Sequence, residues 1–196
     1  SPVHLIERDG DGVRVMTAQR AERFDKVVIA THAPQALALL RQPSHFEREV
    51  LGALRTQNNH LVLHTDARVL PSDPKVWSAC NYARGDAAQG QAGVCLHYLL
   101  NRLQPLPFEQ PVIATLNPTQ AIAQAHILGE YTYAHPVFDA RAVAAQAHLG
   151  ALQGQYNTYF CGAWTGYGFH EDGLKSGLAV ARQLLQEIHL PWREAA

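Results

Sequence analysis

The stretch from Thr158 to Ile188, TYFCGAWTGYGFHEDGLKSGLAVARQLLQEI, constrains this chain more than any other. Thr158, Tyr159, Phe160 and Cys161 have the β-branched and aromatic character of a short buried strand, and Gly162 ends it. From Gly173 the period changes. Leu174, Leu178, Ala181, Leu185 and Ile188 fall on one helical face, with Lys175, Arg182, Gln183 and Gln186 turned elsewhere. Between strand and helix, Gly162, Gly166 and Gly168 leave a loop of little side-chain bulk that a planar or phosphorylated ligand can approach closely. Glu171 and Asp172 stand just ahead of the helix, where carboxylates favour the dipole and Asp172 can cap free amides. Strand, glycine loop, acidic pair and helix is the order in which backbone amides meet an anionic or carbonyl oxygen. It is equally the order of an ordinary capped strand-to-helix turn. A nicotinamide-type fingerprint fails, because Glu171 stands where the third glycine after Gly166 and Gly168 belongs, and no second strand follows to carry a ribose-binding acid.

The segment YFCGAWTGYGFHEDGLKSGLAVA resembles the C-terminal flavin-binding segment of the flavin-containing amine oxidase superfamily, which includes protoporphyrinogen oxidases and phytoene-desaturase-like enzymes. It is similar in particular to a bacterial branch described as predicted NAD/FAD-binding proteins. Gly168, Phe169, Glu171, Ser176 and Gly177 fit the superfamily stretch Gly-Tyr-x-Glu-Gly-Ala-x-x-Ser-Gly. Two positions depart from it: Ala163 stands where an acidic residue contacts the ribityl-pyrophosphate region, and Asp172 replaces a glycine. The resemblance implies FAD as cofactor, with Gly162, Ala163, Trp164, Gly168, Phe169, His170, Glu171, Asp172, Gly173 and Gly177 at its flavin end. The amides of His170, Glu171 and Asp172 would meet negative charge developing on a reduced ring, and Trp164, Tyr167 and Phe169 would wall the ring or pack in the core.

Composition narrows the alternatives. With 196 residues, 47% of them hydrophobic and 17% charged, the chain can bury one good core or two small ones. A net charge of −1 gives no electrostatic case for nucleic acid or an acidic membrane. Eleven histidines are scattered singly, and no pair has metal-ligand spacing. Cys80, Cys95 and Cys161 fit reduced thiols in a cytoplasmic protein better than a disulfide framework. No apolar run approaches a membrane span. The chain lacks an initiator Met and opens in what reads as mid-strand, so it is expected to be a C-terminal fragment whose exposed edges favour self-association.

Val3 to Ile6 and Val13 to Met16 flank Asp9-Gly10-Asp11-Gly12 and read as a hairpin. Its turn is a poor calcium loop, because Val13 holds the next acidic position. Phe24 to Ala30 is dense enough in Val and Ile for a strand buried on both faces of a parallel sheet. This order resembles the part of the superfamily's FAD domain that rejoins the nucleotide-binding sheet, which implies that Val3 meets the adenine and that Ala30 and Thr31 turn near the cofactor. Pro34 to Leu40 and Phe46 to Leu54 read as helices. His60 to Thr65, Val76 to Asn81, Val94 to Leu100, Val112 to Leu116 and Ile127 to Tyr133 then read as strands of an antiparallel sheet with one wet and one packed face. In the superfamily this is the substrate domain, a sheet with helices on one side. Gly85 to Gly93 reads as a mobile loop. Asp139 to Leu152 reads as one helix with Asp139 as its N-cap.

The fold class expected is α/β (α+β), the C-terminal part of a bipartite FAD-binding domain plus a mainly antiparallel substrate domain. Residues 1–40 and 139–196 are assigned to the FAD domain and 41–138 to the substrate domain. The expected activity is hydride transfer from a small-molecule substrate to flavin, and the expected partner is the half of the FAD domain that carries the first glycine motif. Many relatives place a lysine near flavin N5 at the start of a substrate-domain strand. The equivalent stretch here, Gln57 to Val62, has none, which leaves Asn59, His60 and Trp164 as catalytic candidates and Tyr131, Tyr133 and His135 for the substrate face. A desaturase or isomerase of the same superfamily, or a cofactor-free interaction module, are the alternatives.

Overall fold

A computed structural model describes residues 1–84 and 94–187, so the loop Gly85 to Gly93 and helical position Ile188 lie outside the described residues. In chain order, β1 (Val3–Asp9), β2 (Gly12–Thr17), β3 (Ala21–Phe24) and β4 (Val27–Ile29) precede α1 (Ala33–Leu39) and α2 (His45–Ala53). Then come β5 (Thr56–His64), β6 (Cys80–Arg84), β7 (Val94–Leu99), α3 (Leu100–Leu103), β8 (Ile113–Leu116) and β9 (Ile127–Pro136). The chain continues through α4 (Ala140–Gln146), α5 (Leu149–Leu152), β10 (Thr158–Phe160) and α6 (His170–Glu187). Two compact units result, Ser1–Thr56 with Pro136–Ala196, and Gln57–His135.

In the first unit, β1, β2 and β3 form an antiparallel meander whose first turn is the expected Asp-Gly hairpin, with Asp9 opposite Gly12 and the Asp11 N–H donating to Asp9 Oδ1 at 3.0 Å. The strand expected over Phe24 to Ala30 is two strands. β3 stays with the meander, whereas β4 turns away and pairs in parallel with β10, Val27, Val28 and Ile29 opposite Thr158, Tyr159 and Phe160. Ile29 is buried but Val28 is 42% exposed, so burial on both faces does not hold among the described residues. Chain segments more than 100 residues apart are thus neighbours, as expected, and Arg8 of β1 also lies over the Tyr156 ring, 5.2 Å from its centroid.

The boundary expected at residue 40 falls instead after Thr56, because α2 packs with α1 and α4 in one core. Ile6, Val13, Ala33, Ala36, Leu51, Leu152, Phe160 and Trp164 fill that core. Ser44 and Glu47 start α2 with a capping box: the Glu47 N–H donates to Ser44 Oγ at 3.1 Å and the Ser44 N–H to Glu47 Oε2 at 2.7 Å. Asp139 caps α4 as expected, accepting from the Ala142 N–H at 2.8 Å. The single helix expected there is broken into α4 and α5 by a turn at Ala147 and His148, where the His148 ring meets Phe46 edge-on at 6.2 Å.

The second unit is a five-stranded sheet in the order β6-β7-β8-β5-β9, antiparallel at β6-β7, β7-β8 and β8-β5. Three strands differ from expectation, one of them β9, which runs on past Tyr133 to Pro136. β5 begins at Thr56, and the run expected from Val76 is a 3-10 turn, Pro74–Val76, because Asp73 Oδ1 accepts from the Lys75 N–H at 2.9 Å; strand pairing starts only at Cys80. One face is packed, with Val62, His64, Cys95, His97, Leu99, Ile113 and Thr115 all buried. The opposite face carries the half-exposed Leu61, Leu63, Leu96, Tyr98 and Leu116. Where the resemblance implies a helical layer, the described residues place short 3-10 turns: Val69, which ends the turn Ala67–Val69, packs with Leu70 and Trp77 on Leu99 and Ile113.

Candidate functional site

The glycine loop is built from β10 outward. Thr158, Tyr159 and Phe160 are buried, and the Cys161 N–H extends the pairing by donating to Ile29 O at 3.2 Å. Gly162 follows at φ +147°, and a Cβ there would lie 2.6 Å from Trp164 Nε1, so only glycine lets the indole fold back beneath the loop. Trp164 sits in a 3-10 turn, Ala163–Thr165, and its Nε1–H donates to Thr31 O at 2.9 Å. That bond ties the loop to the turn after β4. Gln146 of α4 holds the other side, its Nε2 donating to Trp164 O at 3.0 Å and to Gly166 O at 2.6 Å. Ser176 of α6 closes the base, accepting from the Gly162 N–H at 2.9 Å and donating to Gly173 O at 2.8 Å.

Helix α6 starts at His170, three residues before the change of period at Gly173. Asp172 is therefore inside the first turn rather than ahead of it. Its Oδ2 accepts from the N–H groups of Tyr167 and Phe169, each at 3.0 Å, and its own amide donates to Phe169 O at 3.0 Å. Of the three amides expected to face a ligand, that of Asp172 is thus taken, while those of His170 and Glu171 have no partner among the described residues. Glu171 is exposed and lies 3.6 Å from Lys175. Gly173 brings α6 against Ala163, and the space beside Gly177 is open. Gly168 adopts φ +91°, and a Cβ there would meet the Phe138 ring at 3.1 Å, so Phe138 occupies the space over that glycine.

The remaining candidates divide. Trp164 is a core residue whose N–H is engaged, so it braces the loop, whereas Tyr167 and Phe169 are exposed. Thr31 joins the loop through its carbonyl and Ala30 is exposed beside it. Val3 opens β1 opposite Thr17 and makes no hydrogen bond to the loop. Asn59 and His60 belong to the second unit. Asn59 is buried, hydrogen-bonded through Nδ2 to His135 Nδ1 and through Oδ1 to Asn117 Nδ2, both at 2.9 Å. His60 is exposed and lies 2.9 Å from Glu130 Oε2. Tyr131, Tyr133 and His135 form a ladder along β9, with the two tyrosine rings stacked at 6.1 Å. Sequence reasoning passed over Gln146, which carries no signal of its role, and His32, which follows Thr31. The Nδ1 of His32 is buried without a hydrogen-bond partner, in a small cleft with Ala33, Phe138 and Trp164. Among the described residues, no group of three His, Cys, Asp or Glu side chains is disposed to hold a metal ion, and no helix is long and apolar enough to cross a membrane.

Trp164, Asp172 and Phe138 fill the space beside Gly162, Gly166 and Gly168, so what the loop offers an oxygen-bearing ring edge such as that of FAD is the pair of amides at the start of an 18-residue helix, those of His170 and Glu171, with open space beside Gly177.

No protein-family model matches the sequence, and no curated protein matches it. Solved structures of the flavin amine oxidase superfamily share its fold. A CLA-producing fatty acid isomerase from P. acnes is 17% identical, with 92% of this chain and 46% of that one aligned at a TM-score of 0.57. Cyclohexylamine oxidase from Brevibacterium oxydans IH-35A is 13% identical, covering 96% and 48% at 0.56. A putrescine oxidase triple mutant, made in a redesign of cofactor binding, is 10% identical, covering 95% and 48% at 0.59. At these identities the likeness is one of fold. The chain spans about half the length of the structures it matches.

Proposed function

We propose that this chain is the part of an FAD-dependent oxidoreductase that holds the isoalloxazine end of the cofactor. The observation that carries the reading is the bracing of the glycine loop against the Thr31 turn by Trp164, which unites the two segments that the resemblance assigns to the flavin. When bound, FAD would supply the hydride acceptor. The chain's own work is positional: the amides of His170 and Glu171 offer hydrogen bonds to an oxygen-bearing ring edge, and Gln146 and Ser176 keep the loop in shape. The five-stranded unit is the proposed substrate domain, with Asn59 and the Tyr131–Tyr133–His135 ladder as its candidate recognition residues. The missing lysine in Gln57 to Val62 favours a second reading, a desaturase or isomerase on the same fold.

The proposed partner is the complementary, nucleotide-binding half of the fold. On β10 the outer edge is closed, since the Gly154 N–H donates to Thr158 O at 3.0 Å and the Gln153 side chain exchanges two 2.9 Å bonds with the Phe160 backbone. That leaves β4, with its exposed Val28, as the edge to which further parallel strands would add. Co-purification tests the proposal. A protein carrying this chain with that half should keep FAD absorbance through gel filtration; a folded protein of that composition that elutes colourless and takes up no added FAD would refute it.

A further inference from the structure

The packed face of the second unit carries a row of polar side chains that the proposed function does not use. His64, Cys95 and Thr115 are fully buried and His97 nearly so. The backbone N–H of Asp66 donates to His64 Nδ1 at 3.1 Å, so in the neutral ring Nδ1 is the acceptor and Nε2 carries the proton. His64 Nε2–H therefore donates to Thr115 Oγ1 at 2.7 Å. Thr115 then has its hydroxyl proton left to give, and His97 Nδ1 accepts it at 2.9 Å. His97 is in turn the Nε2–H tautomer, with that N–H 3.6 Å from Cys95 Sγ. The Asp66 amide thus fixes the His64 tautomer, and the Thr115 hydroxyl, having accepted from His64, is disposed to donate on to His97. The run crosses three adjacent strands, β5, β8 and β7, and Asp66 extends it into the irregular chain. Its carboxylate accepts from Arg68 Nε at 2.8 Å, Arg68 Nη2 at 2.7 Å and the Ala123 N–H at 3.2 Å.

We propose that this oriented run is an acid-sensitive latch: with both histidines neutral it fastens β5, β8 and β7 to the chain that covers them, and a proton taken up by either ring releases it. The added proton can go only to an Nδ1. On His64 it would confront the Asp66 N–H, and on His97 the Thr115 hydroxyl, and in each case one buried donor loses its acceptor. The neighbours do not rescue the charged form. Burial pushes the His64 pKa down, opposed by the Asp66 carboxylate but reinforced by His97 and His126; burial alone pushes His97 down. Asp66 is already committed to Arg68, His126 is bonded to Thr65 Oγ1 at 3.1 Å, and Cys95 is kept a neutral thiol by burial, with Thr119 donating to its sulfur. Opened chain titrates its histidines near the ordinary value of about 6.5. The open state therefore binds more protons below that pH, and the latch's stability, present above it, is lost as pH falls.

The test uses the 196-residue chain itself. Long-range proton–nitrogen NMR at neutral pH should show both His64 and His97 as Nε2–H tautomers. Amide exchange of β7 and β8, corrected for intrinsic rates, should rise by up to about tenfold per pH unit for each histidine below about pH 6.5. Thr115→Ser, which keeps the hydroxyl, should retain both signatures, and Thr115→Val should free the His97 tautomer and shrink the acid step without abolishing it, since His64 Nδ1 still faces the Asp66 N–H. An Nδ1–H tautomer at either ring, or exchange in the wild type that stays flat from neutral to mildly acidic pH, would overturn the proposal. Should the valine variant fail to fold, the wild type and Thr115→Ser decide the matter alone.

Discussion

The indole N–H of Trp164 and the carbonyl of Thr31, 133 positions apart in sequence, are joined by a 2.9 Å hydrogen bond. With the parallel pairing of β4 and β10 directly beneath it, this bond sets the distance between the two turns that the flavin proposal requires. Everything at the loop depends on that spacing, because Gln146 and Ser176 hold the loop only from its other sides.

Trp164→Phe keeps most of the buried ring and removes the donor. Losing a hydrogen bond to this partly buried carbonyl costs about 0.5 to 1.5 kcal/mol. Urea unfolding should show a loss of that size, and amide exchange at Gly162 to Gly166 should accelerate ahead of global unfolding. An unchanged loop would mean that the bond does not position it.

Arg8 and Glu47 form a buried ion pair, with side chains 6% and 1% exposed, and Ser44 adds a backbone donor to the carboxylate. Burial raises the Glu47 pKa, but the Arg8 and Ser44 hydrogen bonds outweigh it and hold the carboxyl below its usual range. Arg8→Met should cost about 3 to 5 kcal/mol, since it strands a buried charge. The sign of the pH effect follows. Because the folded pKa is depressed, the stabilisation is present above the ordinary carboxylate value and is lost as pH falls through the folded one. Arg8→Met should flatten this part of the acid-unfolding curve, which denaturant titrations from neutral pH downward would measure.

Gly168 separates strain from contact. Alanine there must adopt φ +91° and meet the Phe138 ring, for a cost of about 1 to 3 kcal/mol. Removing the ring with Phe138→Ala should relieve the steric share only, so the double variant should be less destabilised than the sum of the two single ones, a coupling of about 0.5 kcal/mol or more. Strict additivity in thermal unfolding would show that backbone strain alone accounts for the glycine.

Much of this was legible in residues whose signals are local. Asp9 to Gly12 announced the hairpin, Asp139 its helix, and the spacing of Leu174, Leu178 and Ala181 the last helix. The errors came where a side chain acts across space. Asp172 accepts from Tyr167 and Phe169 behind it, which draws the helix start back to His170, and no periodicity records that. Phe24 to Ala30 reads as one strand, yet Phe24 ends the meander while Val27 to Ile29 pair with β10. The site was legible as a loop but not as a braced one. Trp164 reads from the sequence as a ring wall or a core residue and is buried as a strut, and Gln146 and His32 gain their meaning only from burial and partners.

In the function proposed, this chain holds the isoalloxazine end of FAD, while adenosine contacts come from elsewhere in the fold. Backbone amide NMR of the 196-residue chain, titrated separately with riboflavin and with ADP, tests it most directly. For this chain alone, which spans about half the length of the structures it matches, the affinity should be weak, near the millimolar level that corresponds to about −4 kcal/mol. Riboflavin should shift the amides of His170 and Glu171, and ADP should leave them in place. Shifts with ADP at these positions, or none with riboflavin while the fold is intact, would contradict the assignment.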